Sequence, residues 1–290
     1  MQKIFKNGHY TGERALFRTS DALIEDSLFD DGESPLKEGR NLTVKNVTFG
    51  YKYPLWYGKG HLVQGCKFLV MSRSGIWYTD DSVFEDCDII APKEFRRCHN
   101  ISLKNIVFHD AQETLWNCKG VKLENITAKG DYLGMNDEDV EVDHLELDGN
   151  YPFDGGKNIR VKNSHLHSKD SFWNCENVLI EDSVIEGEYF GWNSKNITLK
   201  NCKITSHQGF CYMDGLTLIN CKIEGESDLI FEYCSNVKID VSASDLLSVK
   251  NPISGEIHAH SIKEMIRDDE RIDLRKIHVY VKEGDKEHEI

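Results

Sequence analysis

A single phrase of alternating apolar and polar residues recurs along most of the chain. It reads ALIEDSLF from Ala22, LTVKNVTF from Leu42, HLVQGCKF from His61, SVFEDCDI from Ser82, ISLKNIVF from Ile101 and VKLENITA from Val121. It continues as VEVDHLEL from Val140, IRVKNSHL from Ile159, VLIEDSVI from Val178, ITLKNCKI from Ile197, LTLINCKI from Leu216 and a degraded VKIDVSAS from Val237. Successive starts lie 19 to 21 residues apart. Period-two alternation is the strand signal, and no apolar period of 3.6 residues persists anywhere in the array. Parallel strands ordinarily need a crossover helix, for which the segments between phrases leave no room. A solenoid removes the conflict, because each unit becomes one coil whose strands pair with the coils above and below. The expected fold class is therefore all-β.

A left-handed β-helix would need a hexapeptide rhythm, and a leucine-rich repeat would need its Leu-x-x-Leu-x-Leu phrase and a helical return leg. Neither is visible. A coil of about twenty residues in three short strands, with Asn or Asp between two of them, resembles the right-handed parallel β-helix of the pectin-lyase-like superfamily. The resemblance runs from roughly Phe17 to Ser261, about twelve coils. It implies a second strand at Val178 to Ile180, a third at Ser183 to Ile185, and a first strand containing Phe172 and Trp173. Between the second and third strands stands a turn column: Asp26, Asn46, Gly65, Asp86, Asn105, Asn125, His144, Asn163, Asp182, Asn201 and Asn220. Asn and Asp tolerate left-handed backbone angles, and stacked amides can hydrogen-bond from coil to coil, so the column reads as architecture.

One β-helix domain over residues 1–290 is expected: an N-terminal cap over 1–13, coils over 14–261, and a C-terminal cap and tail over 262–290. In that last part SIKEMIRDDER from Ser261 reads as a short helix, KIHVYVKE from Lys276 as a strand and GDKEHEI as a frayed tail. A net charge of −14 disfavours nucleic acid and anionic membranes as partners. No apolar run follows Met1, which makes the cytoplasm the expected location. Of the nine cysteines, Cys66, Cys87, Cys202 and Cys221 share one inward column and Cys98, Cys118, Cys175 and Cys234 another. Their side chains would point in parallel, so reduced thiols filling the core are expected. No Cys-x-x-Cys or His-x-x-His spacing suggests a metal, and no cofactor is implied.

Aligning the coils places Trp56, Trp77, Arg96, Trp116, Trp173 and Trp192 in one column, preceded by an inward column containing Leu55, Ile76, Phe95, Leu115 and Phe172. The tryptophans therefore point outward. Beside them lie Asn117, Asn174 and Asn193, and upstream Glu113, Tyr132, Tyr151 and Asp170. Flat rings stack on sugar faces while amides and carboxylates bind hydroxyls, so the strip reads as a groove for an oligosaccharide or polysaccharide fragment. The competing reading is that loops or a second copy cover the rings; a homo-oligomer is compatible with either.

Glycoside hydrolysis uses two carboxylates, about 5 to 5.5 Å apart for retention and about 6.5 to 9.5 Å for inversion. The candidates are Asp154, Asp137, Asp170 and Glu113, with Asp137 and Asp154 expected roughly 8 Å apart at Cα. Polygalacturonase motifs are missing, and only Arg96, Arg97 and scattered acids are similar to the calcium-binding lyases. The chain more closely resembles an uncharacterised bacterial family of short cytoplasmic β-helices often labelled hydrolases. Two readings stay open: a glycoside hydrolase-like enzyme, or a non-catalytic scaffold that binds saccharide or protein.

Overall fold

Each repeat closes into a coil because its corners are occupied by residues that accept a left-handed backbone. Every member of the turn column, from Asp26 (φ 50°) through His144 (φ 60°) to Asn220 (φ 50°), has positive φ. A second corner is turned by Asp21, Asn41, Asp81, Asn100, Asn158, Asn177 and Asn196, also left-handed. Between these two corners runs a short strand whose alternate residues are buried, as in Arg40–Lys45 and Lys195–Lys200.

The computed structural model describes residues 2–283 and 286–290, in two compact units, Met1–Gly149 and Asn150–Ile290. Both are parallel β-solenoids. In the first, strands such as Ser20–Glu25, Arg40–Lys45, Leu62–Gln64 and Asp80–Glu85 pair in parallel, each with the next. In the second, Lys157–Lys162, Glu176–Glu181, Lys195–Lys200 and Asp214–Ile219 do the same. The described residues make about fifteen turns in place of the expected twelve.

The extra turns come from segments expected to be caps. Lys3–Lys6, inside the expected N-terminal cap, is a largely exposed first rung paired in parallel with residues 22–25. Gly255–Ile266 is a strand that takes in the expected helix start at Ser261, and the strand Ile277–Glu283 pairs in parallel with it. The apolar residues Ile262, Met265 and Ile266 fit a helical face on paper, but the open edge of Val237–Lys250 offers main-chain partners that an isolated turn of helix lacks. Of the expected frayed tail, Gly284 and Asp285 lie outside the described residues, while Lys286–Glu289 pairs antiparallel with Ile277–Glu283.

Parallel, in-register coils place like on like about every 4.8 Å. Tyr10, Phe29, Phe49 and Phe68 form one ring stack, with centroids 4.8, 5.5 and 4.9 Å apart. Phe153, Phe172, Phe190, Phe210 and Phe231 form another in the second unit, at 5.2 to 5.5 Å. Each buried ring contributes about 1.5 to 3 kcal/mol by burial alone. The segment expected to be the first strand is mostly not extended: Phe95, Leu115, Phe153, Phe172, Phe210 and Phe231 have φ between 52° and 61°. That backbone costs about 1 to 2 kcal/mol per residue, which burial of the ring or leucine offsets.

All nine cysteines are buried and unpaired. Their two columns also hold Ser and Thr, for a common reason. At the corner before the third strand, Ser27 Oγ accepts from Gly8 N, Ser183 Oγ from Ser164 N and Cys66 Sγ from Val47 N. A small side chain with a lone pair there satisfies an amide of the preceding coil.

The exposed ladders have a direction. Asn46 donates to Asp26, Asn125 to Asn105 and Asn105 to Asp86, Asn220 to Asn201 and Asn201 to Asp182, always toward the preceding coil. Asp serves at the foot because the foot has only to accept. Asn201→Asp should therefore cost about 1 kcal/mol or more at neutral pH, by losing a donor and setting a carboxylate on Asp182. Lowering the pH should restore most of that loss in denaturant melts, and Asp182→Asn should be nearly neutral.

Candidate functional site

The tryptophans of the first unit point away from the core, but their faces are taken. Trp56 and Trp77 stack at 5.3 Å with planes 11° apart. The Arg96 guanidinium lies over Trp77 at 4.6 Å and over Trp116 at 4.5 Å, completing a column that begins with Lys37 over Trp56 at 5.8 Å. Tyr132 meets Trp116 edge-on at 6.5 Å. The indole N–H groups are spent too: Trp56 donates to the Ser74 carbonyl, Trp77 to Lys93 O at 2.9 Å and Trp116 to Tyr132 O at 2.7 Å. All three rings are half-buried. Rung spacing is close to aromatic stacking distance, so rings on successive coils lie on one another and show mainly their edges.

In the second unit Tyr151 packs edge-on against Trp173 at 5.6 Å, and Trp173, Trp192, Tyr212 and Tyr233 follow at 5.7, 5.2 and 5.4 Å. The Trp173 indole nitrogen is buried without a hydrogen-bond partner. Asn193 donates to Asn174 at 3.0 Å and Asn174 to Asp154 at 2.9 Å, so these expected sugar contacts form another ladder with an aspartate at its foot. Each Asn of the Trp-Asn pairs has positive φ (Asn174 54°, Asn193 58°), as has the exposed Asn117 (55°). In each pair the tryptophan stacks and the asparagine turns the corner.

Two of the four candidate acids do not border a groove. Asp137 is 1% exposed, and its Oδ1 accepts from Cys118 N at 2.6 Å while Oδ2 has no partner. It stands in the inward column of Cys98, Cys118 and Cys175, where Ser194 Oγ likewise accepts from Cys175 N. Burial pushes its carboxyl well above the usual range. Asp170 is 2% exposed at the start of the strand Asp170–Ser171, with its carboxyl raised by burial and partly restored by the Tyr151 hydroxyl. Glu113 is half-buried between Lys93 at 3.1 Å and Arg96 at 3.2 Å. Asp154 is also half-buried, and its Oδ1 is taken by Asn174 at 2.9 Å.

Sequence reasoning missed a fifth acid. Glu94 is fully buried; one oxygen accepts from Gly75 N at 2.8 Å, the other has no partner, and burial raises its carboxyl well above the usual range. It also missed an open depression of about 610 Å³ in the second unit, lined by Asn193, Tyr212, Asp214, Tyr233 and Arg271 over Met213 and Ile253. Tyr212 is 44% exposed. Ser235 and Asn236 donate to Asp214 at 2.9 and 2.7 Å and hold its carboxyl below the usual range. Arg271 is aimed by Asp269, which it meets through Nε at 2.8 Å and Nη2 at 2.6 Å. Tyr212 and Tyr233 continue the column of Asn174 and Asn193 on later coils, whereas nothing in the repeat pattern points to Arg271. Among the described residues, no group of three or more His, Cys, Asp or Glu could hold a metal ion.

Two expectations follow. Trp77→Ala should lower stability by roughly 2 to 3 kcal/mol in denaturant melts, somewhat less than removal of a fully buried ring. Asp137→Ser should stabilise the protein at neutral pH, since serine supplies the same acceptor without a charge. A raised folded pKa means the folded state holds the proton longer, so the aspartate's contribution falls as pH rises from about 4 through the folded value. The advantage of Asp137→Ser should shrink as pH is lowered toward 4, by about 1.4 kcal/mol for each unit of raised pKa.

In architecture the chain is similar to PfbA, a surface adhesin of Streptococcus pneumoniae, at 10% identity and a TM-score of 0.43, covering 96% of this chain and 80% of that one. It is similar also to a PL6 alginate lyase solved with a trisaccharide, at 11% identity and 0.45, covering 99% and 85%. A double-mutant tailspike protein of E. coli bacteriophage HK620 matches at 8% identity and 0.41, covering 90% and 62%. No curated protein matches the sequence. Residues 3–280 match the family described as Protein of unknown function (DUF3737), and the chain belongs to that family.

Proposed function

We propose that the protein is a non-catalytic saccharide-binding scaffold whose contact surface is the depression around Tyr212, Asp214, Tyr233 and Arg271. The observation that carries this reading is the contrast between that depression and the tryptophan columns. The columns are closed by stacking, whereas the depression combines an acceptor at Asp214, a guanidinium, an amide and two phenol edges above an apolar floor. A sugar needs that mixture, because each hydroxyl both donates and accepts while the C–H faces seek apolar contact. Ladder and ion-pair partners pre-orient Asp214 and Arg271, which limits the ordering cost of binding.

The glycoside hydrolase reading draws less support. General acid–base work on a glycosidic bond requires two carboxyls that both reach the substrate. Asp137 and Asp170 are enclosed, Glu113 is neutralised by two cations, and Asp154 ends an amide ladder.

An oligosaccharide panel screened by calorimetry should yield a ligand whose affinity falls at least about tenfold in Tyr212→Ala and in Arg271→Ala, with melting temperature little changed in Arg271→Ala, whose side chain is exposed. Asp154→Asn should leave binding as it was, and no new reducing ends should form on prolonged incubation. Turnover of any panel member that disappears in Asp154→Asn would overturn the proposal in favour of the hydrolase.

A further inference from the structure

The outward face of the first unit carries an apolar stripe. Pairing aligns Ile4 with Leu23, Leu23 with Thr43, Thr43 with Leu62, and Leu62 with Val83. These residues alternate with the buried column Ile24, Val44, Val63 and Phe84, so they face away from the core. Ile4 is 62% exposed and the others are partly exposed. Five rungs at about 4.8 Å give a stripe about 19 Å long.

Its order is the same in both directions: Ile, Leu, Thr, Leu, Val reads as branched, leucine, threonine, leucine, branched. A surface that meets its own copy across a two-fold axis needs that property, since each residue must suit the one reached by reversal. The neighbouring column reads Lys6, Glu25, Lys45, Gln64, Glu85 in the same register. Reversal about Lys45 sets Lys6 opposite Glu85 and Glu25 opposite Gln64. The two copies of Lys45 meet near the axis, each with the other copy's Glu25 one rung away. On the other side of the stripe, reversal puts the corner residue Asp21 opposite Gly60 and Asn41 opposite its own copy, with no like charges in register.

We propose that this face is a self-association surface for a second copy of the chain, the two related by a two-fold axis that lies in the interface along the Thr43 strand, perpendicular to the stripe. Leucine then meets leucine on both sides of the axis, and the Lys6–Glu85 pairs close the outer rungs. A stripe of this length lies at the small end of specific interfaces, so the dimer is weak and concentration-dependent. The surface lies in the first unit and the saccharide depression in the second, so neither proposal depends on the other.

Sedimentation of the full chain from about 1 μM to about 500 μM tests this. A reversible monomer–dimer equilibrium is expected, weakened at least about tenfold by Leu62→Glu with an unchanged melting temperature, because Leu62 faces outward. Lys6→Glu and Glu85→Lys should each weaken the dimer, and the double variant should recover much of the loss. A folding defect would not produce that recovery. A wild-type chain that stays monomeric at the highest concentration overturns the proposal. So does a dimer that survives Leu62→Glu, or one whose charge-swapped double variant is no tighter than the singles, since the contact would then lie elsewhere.

Discussion

The spacing between coils governs nearly everything else in this protein. About 4.8 Å is what parallel main chains require, and it is also close to the distance at which aromatic rings, amides and guanidinium planes stack or hydrogen-bond. Whatever side chain occurs at one position therefore meets its counterpart on the next coil at interaction distance. Phenylalanines become continuous stacks, asparagines become ladders, and Arg96 fits between two indoles because it too is flat. The energetic unit is the column, and residues far apart in sequence are coupled through it.

The same rule explains how polar groups enter the core. Left-handed corners leave amides that the strand ladder does not satisfy, and a small acceptor on the following coil satisfies them. Serine, threonine and cysteine do this without charge. Asp137 does it with a group that must give up its charge or bear its burial, which makes that position a costly variant of a common solution. Glu94 bonds Gly75 N at a neighbouring turn and carries the same cost.

Much of this could be read from the residues. The turn column was legible because Asn and Asp recur where only a few residue types tolerate positive φ, and the inward column because Leu, Ile and Phe recur beside it. The direction of each tryptophan was legible from alternation. The tilt of its ring was not, because tilt depends on what stands one coil away. Asp137 shows a sharper limit. Counted from Met135 in the tryptophan column, it falls where Cys118 and Cys175 fall, yet its charge suggested the surface. Column membership was the better guide than residue type. The ends failed for another reason: Lys3–Lys6 and Gly255–Ile266 lack the full phrase, and only the open edge of a neighbouring rung made them strands. Arg271 reaches the depression from beyond the clear repeats, so no periodicity could find it.

The direction of the amide ladders bears on how such a chain can lengthen. A coil with asparagine at the corner presents an acceptor above and uses a donor below, so a duplicated copy inserted on top of it finds its bonds already provided. A coil with aspartate can be copied only where a new run is to begin, because it brings no donor for the coil beneath. Asp26 and Asp86, on coils whose other corner is also an aspartate (Asp21 and Asp81), thus mark joints at which runs of interchangeable units start. Coils added or removed above a joint leave the amide ladders below it untouched, which makes length, and with it the size of any exposed face, an adjustable property of this architecture.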